Sequence, residues 1–262
     1  MVEAANGRPA SDDRCLTGEY MNAALVLLLL AGPAAAQPAP LAAPVEAASK
    51  PLSVAQQIAR AYLPEQLLAE SNADEFDRGF DASVAKDPGT AELERQYPGA
   101  LAAMKSAAKE FALARFRSEL PGTWDAVAAF IATNFTPAQQ RELLTFYSSP
   151  AGQRILVATS KAVDSSKIVE QKKDGTIAIK SDMGSISAAT DYGLYKSMSK
   201  EDMAAAMRFI ASPTGRVFQA KTPALTQLIA GRMNAMIAEV GPEVAVRSGE
   251  ALRSYIAAHD RK

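Results

Sequence analysis

Residues 135–152 read Phe135-Thr136-Pro137-Ala138-Gln139-Gln140-Arg141-Glu142-Leu143-Leu144-Thr145-Phe146-Tyr147-Ser148-Ser149-Pro150-Ala151-Gly152, and they hold two helix starts separated by one helix stop. The first start is Thr136-Pro137. A hydroxyl there accepts a hydrogen bond from a first-turn amide, and a proline at the first helical position gives up an N–H that would have no partner. Leu143, Leu144 and Tyr147 then supply an apolar face, and the run ends at Ser148. Ser149-Pro150-Ala151-Gly152 repeats the start signal ahead of Ile155 and Leu156. The stretch predicts two helices joined by a tight turn, an αα-hairpin.

The pattern returns sixty-three residues further on. Phe146, Ser149, Pro150 and Gly152 recur as Phe209, Ser212, Pro213 and Gly215, and the cap Thr136 recurs as Ser199. Matches in one fixed register predict a duplicated helix-turn-helix unit, assigned to residues 123–160 and 186–236, although two copies are too few for a solenoid. Gly152 and Gly215 sit in a helix's first turn, where glycine costs roughly 1 kcal/mol against alanine unless a neighbour needs the space. Close backbone contact is therefore expected at both. Between the copies, residues 168–180 contain Lys173-Asp174-Gly175-Thr176, which suits a two-residue turn, and the segment reads either as a small β-hairpin or as a loop.

Outward from the repeat the patterning stays helical. Val54, Ile58, Ala61 and Tyr62 fall on one side of a helix that begins near Leu52, and Leu63-Pro64 breaks it. Residues 71–90, with Asp74, Glu75, Asp77, Asp81 and Asp87-Pro88-Gly89, predict a loop or a short exposed helix. They lack the alternating oxygen ligands around a fixed glycine that a calcium loop needs. Leu101, Met104, Ala108, Phe111, Phe116 and Leu120 trace a helical stripe. Pro121-Gly122-Thr123 is expected to stop that helix, and Trp124 to open a short one through Ile131. The predicted fold class is all-α, a helical bundle built of αα-hairpins over residues 52–262.

A leader precedes the bundle. Ala23-Ala24-Leu25-Val26-Leu27-Leu28-Leu29-Leu30-Ala31, then Gly32-Pro33 and Ala34-Ala35-Ala36, reads as an apolar core, a helix break and an A-x-A cleavage site. The apolar run is far shorter than the roughly 20 residues a spanning helix needs, so residues 1–36 predict a cleaved signal peptide and no transmembrane span afterwards. Met21 is the expected start, because the twenty residues before it are net acidic. Residues 37–51, with Pro38, Pro40, Pro44 and Pro51 among alanines, predict an extended linker. The expected location is periplasmic or secreted.

Charge and cysteine usage narrow the function. The formal charge of the 262-residue chain is -1, and loss of two basic and four acidic leader residues brings it to about +1. No basic cluster is present to displace counterions from phosphates, so nucleic acid is not an expected partner. Cys15, the only cysteine, lies in the leader, so the mature chain forms neither a disulfide nor a thiolate metal site.

Residues suited to catalysis are sparse. His259, the sole histidine, sits near the C-terminus in a segment expected to fray, which argues against a Ser-His-acid arrangement or a histidine-based zinc site. No glycine-rich phosphate loop occurs. Glu92 with Glu94 and Glu201 with Asp202 are close carboxylates, but they suit solvated first turns better than acid–base work. Methionine is the suggestive type: Met203 and Met207 are spaced i, i+4, and Met233 and Met236 i, i+3. Such pairs suit core filling, an adaptable binding groove, or soft-metal binding through thioethers.

Phe135-Thr136-Pro137, Glu142-Leu143 and Phe146-Tyr147-Ser148-Ser149-Pro150-Ala151-Gly152, with Leu120-Pro121-Gly122-Thr123-Trp124 upstream, resemble the bacterial domain of unknown function family 2059. The second copy resembles it less closely, with Ile210 where the family has tyrosine and Lys200 where it has proline. The resemblance implies an exported helical domain and brings no catalytic residue or cofactor with it. The expectation is a non-enzymatic envelope module that binds a protein, peptide or lipid through a surface between the two units, with Met203, Met207, Met233 and Met236 as candidate contacts. A carboxylate-based hydrolase and a copper carrier are the alternatives.

Overall fold

The computed structural model describes residues 51–85, 88–162, 168–171, 177–180 and 198–261. The leader, residues 37–50 of the linker, Asp87 and the 173–176 turn lie outside the described residues. Within them the chain forms helices α1 (Val54–Tyr62), α2 (Glu65–Val84), α3 (Pro88–Gln96), α4 (Ala100–Asn134), α5 (Pro137–Tyr147) and α6 (Pro150–Ala162), strands β1 (Val169–Gln171) and β2 (Ile177–Ile179), and helices α7 (Lys200–Ala211) and α8 (Pro213–His259). The all-α architecture stands, with one small hairpin attached.

Two long helices set the frame. α4 has 35 residues and α8 has 47, and they pack along each other more extensively than any other pair. They run antiparallel, since Arg115 pairs with Glu239 at 3.5 Å and Tyr255 Oη donates to Pro98 O at 2.5 Å. The expected stop at Pro121 does not occur; α4 passes through it. Phe116, Leu120, Trp124, Val127 and Ile131 continue one buried stripe across the proline, so the same packing holds both sides. Pro121 and Arg117, whose carbonyl loses its amide partner, are exposed to water. Pro223 and Pro242 sit inside α8 on exposed positions for the same reason.

Residues 71–90 also differ from expectation, forming most of α2 and the start of α3. Their acids find partners along the helices. Lys109 reaches Asp77 at 2.7 Å, Lys105 reaches Asp81 at 2.9 Å, and Arg78 pairs with Glu75. Leu68 anchors the helix to the core, while Phe76 and Phe80 stack with ring centroids 6.3 Å apart. Polar composition hid a helix whose charges are matched side by side.

The hairpin is antiparallel, with Val169 opposite Ile179 and Gln171 opposite Ile177. Asn234 of α8 holds β2: its Oδ1 accepts from Ile179 N at 2.7 Å and its Nδ2 donates to Ile179 O at 3.1 Å. The C-terminal end, where fraying is expected, is helical. α8 continues to His259, whose ring meets Tyr97 edge-on at 5.7 Å and stacks on Tyr255 at 6.2 Å.

Candidate functional site

The site begins with the repeated start signals. Thr136 Oγ1 accepts from Gln139 N at 3.3 Å while Gln139 Oε1 accepts from Thr136 N at 2.9 Å, a reciprocal cap. Ser199 caps α7 through Asp202 N at 3.0 Å. Ser149 Oγ accepts from Gly152 N at 3.0 Å and Ser212 Oγ from Gly215 N at 2.9 Å. The serine amides also donate to the end of the preceding helix, Ser149 N to Phe146 O at 3.1 Å and Ser212 N to Phe209 O at 3.0 Å.

This junction explains the glycines. A β-carbon on Gly152 would overlap Phe146 O, and one on Gly215 would overlap Phe209 O. The expected close backbone contact is present in both copies. The arms form the helix-turn-helix that the spacing predicts, and each also packs on a further element. α5 packs mainly on α1, and α6 mainly on α7, so the arms contact other elements more than each other.

The copies meet through equivalent residues. Phe146 stacks on Phe209 with ring centroids 4.0 Å apart and planes 8° from parallel. Ile155 is buried beside Ile210 and Phe146, while its counterpart Phe218 lies 5.7 Å from Tyr147 and 6.2 Å from Phe209. These apolar contacts are thus mirrored with the copies exchanged, as a two-fold relation would give. The two buried threonines Thr159 and Thr222 match as well, donating to Ile155 O at 2.8 Å and Phe218 O at 2.9 Å. The duplication folds as an internal dimer about the Phe146–Phe209 stack.

The charged contacts break that symmetry. Arg154 of α6 holds Asp202 of α7 through Nη2 at 2.6 Å and Nε at 3.0 Å. Hydrogen bonds from Arg154 keep the Asp202 carboxyl below its ordinary range, aided by Ser199. The first copy has Gln139 at the same position, spent on its own cap. Nothing in helical periodicity links Arg154 to Asp202, so sequence reasoning left this pair unseen.

Beside the pair, α6 and the start of α7 enclose an open groove of about 910 Å³. Val157, Ala158, Ala162 and Met198 line its apolar side, and Lys161 and Glu201 also line it. Val157 is 38% exposed. Among the methionines, Met203 packs beside Ile155 and Ala206, whereas Met233 is buried in the main core with Tyr62, Trp124 and Phe218. Met207 is exposed and Met236 is half-buried. The two spaced pairs therefore belong to different parts of the molecule.

The other carboxylates are engaged locally. Glu92 pairs with Arg95, and Glu94 accepts from Gly99 N at 2.7 Å and Leu101 N at 3.1 Å, which holds its carboxyl below the usual range. Phe146, Tyr147 and Trp124 serve packing: Trp124 Nε1 donates to Leu63 O at 2.9 Å, and Tyr147 sits against Tyr62. Burial pushes both tyrosine hydroxyls up, and Tyr62 Oη has no hydrogen-bond partner among the described residues. Among the described residues no helix is long and apolar enough to cross a membrane.

The family described as "Uncharacterized protein conserved in bacteria (DUF2059)" matches the chain twice, over residues 125–173 and 193–243. No curated protein and no solved structure matches it.

Proposed function

From a chain that the family model matches twice, we propose a non-enzymatic binding module of the bacterial cell envelope, exported by its leader, that holds a protein, peptide or lipid partner in the groove between α6 and α7. The groove itself carries the reading. Among the described residues, Val157, Ala158, Ala162 and Met198 give it an uncovered apolar side, with Lys161 and Glu201 beside them to orient a ligand. Its walls belong to different copies, and the Arg154–Asp202 pair fixes their spacing. The test places a photo-crosslinking amino acid at Val157 in the native cell, with Val246, which is also exposed, as the control position. A defined adduct at 157 that is absent at 246 is expected. The same adducts at both positions, or none at 157, would overturn the groove.

A further inference from the structure

A formal charge of -1 over the whole chain hides a separation of sign. Residues 65–119, which form α2, α3 and the first part of α4, carry eleven acidic and seven basic residues, a balance of -4. Residues 143–238, which include α6, α7 and the first half of α8, carry seven acidic and twelve basic residues, a balance of +5. Residues 163–197 contribute five of each sign, so the excess lies on the helices: 143–162 and 203–238 hold six basic residues and no acidic one. Arg115 lies beside Glu239 and Thr123 beside Arg232, which sets the acidic first part of α4 along the second half of α8. The two signs thus occupy opposite ends of the α4–α8 pair.

The basic excess reaches solvent on one face. Lys200, Ala204, Met207, Arg208 and Ala211 are exposed and recur at helical spacing along one side of α7. Glu201 lines the α6–α7 groove instead, and the buried Asp202 is held by Arg154. Arg216 Nη1 donates to Ala211 O at 2.9 Å, which brings its guanidinium to the end of α7, one turn from Arg208. From there Arg216, Ala220, Pro223 and Ala224 continue the exposed side along α8. No acidic residue occurs between Asp202 and Glu239 to neutralise the arginines from within these helices.

We propose that this face of α7 and α8 rests on an anionic phospholipid surface. Charge complementarity names the occupant. Each basic residue close to an anionic bilayer adds attraction, and a molecule with opposite charge at its two ends turns the basic end toward it. Between the arginines the face carries alanines and prolines, which suit a charged plane more than a shaped ligand, and these exposed positions include no aromatic ring to stack a base. Met207, 41% exposed beside Arg208, adds one apolar side chain to enter the headgroup layer. One such side chain is too little to hold a membrane alone, so binding depends on charge and falls as salt rises. The face is separate from the α6–α7 groove, and its failure leaves the groove reading standing.

The test sediments the chain from Gln37 onward, which keeps every described residue and omits the apolar leader, with vesicles of phosphatidylcholine alone or mixed with phosphatidylglycerol. Binding to the mixed vesicles alone is expected. It weakens by roughly tenfold or more in the pair Arg208→Glu and Arg216→Glu, and by less in the neutral pair Arg208→Gln and Arg216→Gln. The control pair Arg253→Glu and Arg261→Glu changes the net charge equally at the far end of α8, beyond the reach of a screened surface potential, and keeps binding. All four arginines are exposed, so the variants keep the native circular dichroism. No binding to the mixed vesicles, equal binding to both kinds, or equal losses in the two charge-reversed pairs would overturn the proposal. Tighter binding to polyglutamate than to the mixed vesicles would overturn the lipid and make an acidic protein the occupant.

Discussion

A methyl group decides much at Gly152 and Gly215, because each glycine faces a carbonyl in the last turn of the preceding helix, Phe146 O and Phe209 O. Alanine ordinarily stabilises a helix by about 1 kcal/mol over glycine. Here Gly152→Ala and Gly215→Ala are expected to destabilise by about 1–3 kcal/mol, the scale of overpacking, as read by urea denaturation. Tyr62 behaves in the opposite sense. Its hydroxyl is buried without a partner, so Tyr62→Phe should leave stability unchanged or raise it by about 1 kcal/mol in thermal melts. Asp202 supplies a pH dependence. Its carboxyl titrates below the ordinary 3.8 because Arg154 and Ser199 favour the charged form, so its contribution is present above that value. The contribution is lost as pH falls through the lowered value. Asp202→Asn should therefore melt earlier than the native chain at neutral pH, and the gap should close below 3.8.

The capped helices were legible because their signals are local. A hydroxyl, a proline and an apolar face within one turn of each other specify a start wherever the chain lies. Pro121 and residues 71–90 were misread because their outcome depends on partners far along the chain. Phe116 and Trp124 join one core across the proline, and Lys105 and Lys109 match the acids of α2 from α4. Pro121 is thus tolerated by α4 and not required by it. Pro121→Ala should restore an amide to the Arg117 carbonyl and raise stability, by up to about 3 kcal/mol, the usual penalty of an interior proline. A lower melting temperature in that variant would mean that the proline itself is needed.

For the whole molecule, the repeat was legible as a register of sixty-three residues, but its pairing was not, since no sequence pattern says that Phe146 faces its own counterpart. The candidate site suffered most from this. Met203 and Met233 fall in separate apolar clusters, whereas the groove and the Arg154–Asp202 pair arise only when α6 and α7 are brought together across the two-fold. The groove depends on that arrangement, which makes the ring stack its most direct test. A double-mutant cycle of Phe146→Leu and Phe209→Leu, followed by urea denaturation, isolates the interaction between the two rings. A coupling of about 0.5–1.5 kcal/mol is expected for a stacked, half-buried aromatic pair. Losses that simply add would contradict an internal dimer held about the Phe146–Phe209 stack.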